Sequence, residues 1–136
     1  MPACFDLVTV DARDSVAVAA FWSAALDLHE VQREDAPDGP GRWIVLADAA
    51  GLRRLGVQHI ADLKPTSTPL TGPGKPRWHL DVVCRLEEID TEIIRLSGLG
   101  GRVIRPVRRE EYGAIAAMAD PEGNMFDICA YGPSGE

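Results

Sequence analysis

The chain predicts an α+β fold built from two βαβββ modules. Three observations carry this. The order strand, helix, strand, strand, strand occurs twice along the 136 residues. A connector rich in Pro and Gly separates the two runs. Each run holds a single apolar helical stripe, too little to bury a core alone, so the two must pack together or pair across a dimer. The repeat is one of element order, since residue identity between the halves is low.

In the first module, residues 1–62, the run CFDLVTV at 4–10 is β-rich. Asp14 or Ser15 then offers an N-cap. Val18, Phe21, Trp22 and Ala25 follow the i, i+3, i+4, i+7 spacing of a buried helical stripe, which predicts a helix over 15–26. A short strand is expected at 28–33, a turn at APDGPG, 36–41, and two further strands at 42–47 and 52–60, broken at Gly51.

Residues 63–77 contain Pro65, Pro69, Pro73 and Pro76 with Gly72 and Gly74. Such a stretch suits neither a central strand nor a helix interior and reads as a linker. The second module, 78–133, repeats the order. A strand is expected at 78–84. Leu86, Ile89, Ile93 and Leu96 mark a helix closed by Gly98, Gly100 and Gly101. Strands follow at 101–107, 114–119 and 125–131. Before the last of these, DPEGN reads as a tight turn, with Gly123 or Asn124 able to take positive φ.

Bulk properties exclude several classes. The formal net charge is −7, which disfavours nucleic-acid and anionic-membrane partners. The basic cluster from Arg102 to Arg109 is interrupted by Val103, Ile104, Pro106 and Val107 and reads as a strand with a solvated face rather than a phosphate site. Cys4, Cys84 and Cys129 show no metal or disulfide spacing, sit among apolar residues and read as buried free thiols in a reducing compartment. The N-terminus has no basic region followed by an apolar run, so a cytoplasmic location is expected. No nucleophile motif, GxGxxG or phosphate loop is visible.

Alternation selects the candidate site. In WHLDVV, His79 and Asp81 share the face opposite Leu80 and Val82; in MFDIC, Asp127 shares the face opposite Phe126 and Ile128. The apolar faces should pack on the helices, leaving His79 and Asp127 to point away from them, into a trough if the strands curve.

These same stretches carry a resemblance. DARDSVAVAAFWSAAL, WHLDV, the helix ending LGG, and DPEGNMFD together resemble the vicinal oxygen chelate superfamily, which includes glyoxalases, bleomycin-resistance proteins and extradiol dioxygenases. The likeness is nearest to its small glyoxalase-like domain members. It implies βαβββ modules forming a curled mixed sheet around a cleft, helices on the outside, and a homodimer. It also implies metal ligands drawn from four strand positions. These fall on Leu7, which cannot ligate; near Gln58, with His59 adjacent; on His79; and on Asp127, which is one methylene shorter than the family's Glu.

Two functional readings follow. In the first, a small organic molecule, a metabolite or antibiotic, binds in the cleft without an intact metal site, contacted by Leu7, Thr9, Gln58, His79 and Asp127. In the alternative, His79, Asp127 and Gln58 hold one divalent metal, zinc, nickel, manganese or iron, and Asp81 moves a proton in a lyase, isomerase or dioxygenase reaction. A purely structural dimer module is the third reading.

Overall fold

The computed structural model describes residues 2–37, 39–63 and 76–132. The chain divides into two compact units, Met1–Lys64 and Pro65–Glu136. Most of the expected linker, residues 64–75, lies outside the described residues.

The first unit runs β1 (Val8–Ala12), α1 (Ser15–Leu26), β2 (His29–Ala36), β3 (Gly39–Ala47) and β4 (Arg53–His59). Its sheet has the order β1-β4-β3-β2. The β1–β4 pair is parallel and the other two pairs are antiparallel. Helix α1 starts where the capping chemistry places it: the Asp14 side chain accepts from the Ala17 N–H at 3.1 Å. It ends at Asp27, whose left-handed φ of 53° lets the Leu28 N–H reach the Ser23 carbonyl. The expected stripe is the buried one. Val18, Phe21, Trp22 and Ala25 are all buried, and α1 packs on β3 and β4. Phe21 and Trp22 meet edge to face at 5.1 Å. Ile44, Leu46, Leu55 and Val57 complete this core. Each such apolar side chain contributes about 1.5–3 kcal/mol on burial.

Several strand boundaries in this unit depart from the sequence expectation, and β2, expected to stop at residue 33, runs on to Ala36. β1 begins at Val8 rather than at residue 4, because its register with β4 starts at the Val8–Leu55 pair. The expected turn at 36–41 is partly strand, because β2 and β3 pair up to Ala36 and Gly39.

The second unit runs β5 (Leu80–Val83), a 3-10 turn (Leu86–Glu88), α2 (Ile89–Gly98), β6 (Arg102–Glu110), β7 (Gly113–Ala119) and β8 (Met125–Tyr131). Its sheet order is β5-β8-β7-β6, again with one parallel pair, β5–β8, beside two antiparallel ones. Ile89 and Leu96 of α2 are buried with Phe126, Ile128 and Met118 of the sheet. Both units are therefore βαβββ modules of the same strand order. No described helix is long and apolar enough to cross a membrane.

The units share a turn that residue identity only hints at. Between β3 and β4 the chain reads Asp48-x-x-Gly51-x, and between β7 and β8 it reads Asp120-x-x-Gly123-x. In the first, the Asp48 carboxylate accepts from the Ala50 and Leu52 N–H groups, and Gly51 N–H donates to the Asp48 carbonyl. In the second, Asp120 accepts likewise from Glu122 and Asn124, and Gly123 N–H donates to the Asp120 carbonyl. Gly51 and Gly123 have φ of 84° and 91°, a region glycine enters without penalty. Asp120 is 1% exposed and also receives the Asn124 side-chain amide at 2.9 Å. Asp48 is more open and takes Arg54 Nε at 2.8 Å instead.

Replacing Asp120 with Ala strands buried backbone donors and is expected to cost about 2–3 kcal/mol in urea unfolding. For Asp48, the hydrogen bond from Arg54, aided by the Leu52 N–H, holds the carboxyl below the usual carboxylate range. Its contribution is therefore present above the unfolded pKa, near ~4, and is lost as pH falls through the folded value. Asp48→Asn should flatten the acid side of the stability profile while changing less near neutrality, as read from urea midpoints across the acid range.

Candidate functional site

The site is built on the parallel edge of the second sheet. β5 and β8 run in register, with Leu80 beside Phe126, Asp81 beside Asp127 and Val82 beside Ile128. Phe126 and Ile128 are buried on the α2 side, so Asp81 and Asp127 lie together on the opposite face. His79, just ahead of β5, reaches the same place. Its Nε2 is 3.2 Å from Asp81 Oδ1 and 3.2 Å from Asp127 Oδ2. One ligand atom from each of the three residues lies within 4.8 Å of the other two. The Asp127 side chain is the most enclosed, at 18% exposure, and Asp81 the most open, at 59%.

The electrostatics follow from this enclosure. Burial pushes the Asp127 carboxyl up, and the Asp81 charge adds to that; His79, Arg108 and Arg105 pull the other way without cancelling it. Two strand positions on, burial first and then the Asp81 and Asp127 charges push the Cys129 thiol up to about 11. Burial and the Glu92 and Glu88 charges raise the Cys84 thiol as well. Neither is primed as a nucleophile.

A pocket of about 200 Å³ opens beside His79 and Asp127. His79 and Asp127 line one side and Arg105 and Arg108 the other, over Ile115, Ala117 and Met125. The two arginines were expected on a solvated strand face. The strand is there, but the pairing of β6 with β7 shifts register between Val103 and Arg105 and again between Arg105 and Arg108. A simple alternation read from β6 alone therefore misassigns its faces. The signal available in the sequence was the repeat Arg102-x-x-Arg105-x-x-Arg108.

The remaining sequence-derived residues stand on the first unit. Thr9 pairs with Gly56, and Gln58 pairs with both Asp11 and Trp43. Thr9, Gly56 and Gln58 lie on the face turned away from α1, and Leu7 immediately precedes β1. His59 pairs with Ala12 and takes the other face. The parallel pair Thr9–Gly56 thus holds the place in the first sheet that Asp81–Asp127 holds in the second, with Leu7 in the place of His79. None of these three first-unit side chains is a ligand of comparable strength. The indole of Trp43 lies over Gly56, so that a Cβ there would run into its ring. Among the described residues, His79, Asp81 and Asp127 form a group able to hold a metal ion, and all three belong to the second unit.

A family model for the glyoxalase-like domain matches residues 7–129. The chain belongs to the glyoxalase-like domain family, within the vicinal oxygen chelate superfamily. Solved structures agree on the fold of this glyoxalase-like domain. The fosfomycin resistance protein FosX from Listeria monocytogenes superposes with a TM-score of 0.70 at 17% identity, covering 99% of this chain and 98% of that one. A glyoxalase/bleomycin resistance protein/dioxygenase family enzyme from Burkholderia phytofirmans PsJN gives 0.67 at 20% identity, covering 93% and 97%. A domain of the same description from Frankia sp. EAN1pec gives 0.68 at 16% identity, covering 98% and 94%. A mutant of the Listeria protein has also been crystallised with Mn(II) and 1S,2S-dihydroxypropylphosphonic acid. No curated protein matches the chain.

Gly56→Ala provides a test of the first unit's aromatic platform. The added methyl must displace the Trp43 ring, and the expected cost is about 1–3 kcal/mol with a shift in tryptophan emission. Unchanged stability and emission would show that the ring moves aside freely.

Proposed function

We propose that this glyoxalase-like domain binds a small organic molecule in the pocket of its second unit, next to one divalent cation held by His79, Asp81 and Asp127. The observation that carries this is the convergence of one imidazole nitrogen and two carboxylate oxygens within 4.8 Å, with His79 and Asp127 of that group lining the pocket. The donor set fits. One nitrogen and two carboxylate oxygens suit zinc, manganese, iron or nickel. Ligand atoms ~2.0–2.2 Å from such an ion stand about 3.0–3.6 Å apart, and His79 Nε2 lies 3.2 Å from each carboxylate. Three protein ligands leave positions open for a bound molecule.

When bound, the cation would polarise an oxygen of that molecule as a Lewis acid. The chain's own residues supply the rest. His79 and Asp127 fix the polar end of the pocket, while Ile115, Ala117 and Met125 exclude water from its floor. A pocket of about 200 Å³ is smaller than the ~300–1,000 Å³ of drug-sized sites, so the ligand is correspondingly small. Asp81, the most exposed of the three, acts as the third ligand in this reading.

A second reading is favoured by a specific contact. The His79 imidazole is already flanked by both carboxylates, and a protonated His79 satisfies them without any metal. The pocket then binds its ligand as a metal-free carrier.

Metal content of protein purified without a histidine tag, followed by calorimetric titration with Mn²⁺, Zn²⁺, Ni²⁺ and Fe²⁺, separates the two. Uptake near one ion per chain, weakened about a hundredfold or more in His79→Ala and Asp127→Ala, is the outcome expected for a metal site of this donor set. In the same series Asp81→Asn should weaken uptake; retained metal with lost turnover would instead make Asp81 the proton-transfer group. If micromolar metal is not taken up, the first reading fails. Ligand stabilisation in chelator, about 2.7 kcal/mol at a hundredfold the dissociation constant, then supports the carrier. Homodimerisation, implied by the family resemblance, is a separate proposal that light scattering on a sizing column decides.

A further inference from the structure

We propose that Arg105 and Arg108 form an oxyanion-binding wall in the second unit's pocket, so that the small molecule held there carries a carboxylate, phosphonate or phosphate group. The inference rests on that pocket being the ligand site and names the class of ligand. Residues three apart on a regular strand face opposite ways. Here each of two register shifts adds one residue to β6, and Arg102, Arg105 and Arg108 pair with Ala119, Ala117 and Ile115 in turn. Those partners are alternate residues of β7 and so share one face. The irregularity thus turns Arg105 and Arg108 to the same side, where both line the pocket. Bulges beside binding sites commonly re-aim side chains in this way.

The register then orders the charges. Arg105 pairs with Ala117, Ala117 with Asp127, and Asp127 with Asp81. One row across the sheet therefore runs from a guanidinium, over a single methyl group, to the two carboxylates. Arg109, on the other face, forms a 3.0 Å ion pair with Asp90 of α2. Among the described residues Arg105 and Arg108 form no such pair, although Arg105 is half-buried. Their charges reach the Asp127 carboxyl, but not at ion-pair distance, and a half-buried guanidinium not clamped by a carboxylate, beside a second one, presents the forked donors that oxyanions accept. While no cation is bound the carboxylates repel the same anion, which orients a ligand with its acid group toward β6 and its remainder toward His79.

Calorimetry on the full chain tests this with methylphosphonate, propionate and neutral propionamide, each in chelator and again with saturating Mn²⁺. The expected result is binding of one or both anions but not the amide. Arg105→Gln and Arg108→Gln should each weaken anion binding at least tenfold, Arg105→Lys less, and Arg109→Gln should leave it unchanged, with circular dichroism confirming the fold of every variant. Preference between the two anions identifies the acid group. Mn²⁺ affinity should not fall in the arginine variants, so loss of the anion and loss of the cation are read separately. Absence of anion binding under both conditions, or equal affinity in wild type and both glutamine variants, would overturn the proposal. Should Arg105→Gln misfold, Arg108→Gln and the salt dependence of the wild-type chain carry the same test, since a charge-held anion weakens as ionic strength rises.

Discussion

The parallel pairing of β5 with β8 is the constraint on which the rest of the site depends. It sets Asp81 directly beside Asp127 on one face of the sheet. Two carboxylates on neighbouring strands repel, and a cation or a shared proton must offset that repulsion. His79 supplies the nearest compensation, 3.2 Å from each. It does not suffice to return Asp127 to ordinary behaviour, because burial dominates there. The pocket opens beside this arrangement, with His79 and Asp127 in its lining.

The two units show how one backbone plan places a His/Asp/Asp group on one sheet and no group of that kind on the other among the described residues. Both have the same strand order, the same Asp-x-x-Gly-x turn and the same parallel edge. In the first unit a register shift lies just beyond the turn, between Leu46 and Ala47, where β4 carries an extra residue. The position paired like Asp127 is then Gly56, and Trp43 covers it. In the second unit β7 and β8 pair without interruption from Ala119 to Gly113, and the acid is kept. Irregular pairing in the second unit lies between β6 and β7, as it does between the matching β2 and β3 of the first.

The result is a small pocket with a polarity of its own, in an acidic chain of net charge −7. Anionic and imidazole groups stand at one side, guanidinium groups at the other, and Ala117 lies between them. On this face of β7 the small residues Ala117 and Ala119, next to Ile115, keep the centre low. A larger side chain at Ala117 would fill the space the long side chains of β6 and β8 now face across.

By itself the sequence determined the elements. Apolar periodicity and the Asp14 cap located α1 at Ser15–Leu26, and alternation around Asp127 located β8 at Met125–Tyr131 with its acid turned from Phe126 and Ile128. It also singled out His79 and Asp127, because a carboxylate amid apolar strand residues is conspicuous in one dimension. Tertiary structure alone decided which residues stand across from one another. That Asp81 joins the pair, that Gly56 rather than a polar residue faces Thr9, and that Arg105 and Arg108 share a face are all matters of register between strands. Register is a count taken over two segments at once. A single extra residue on one of them reverses every face beyond it, and periodicity within either strand carries no record of that count.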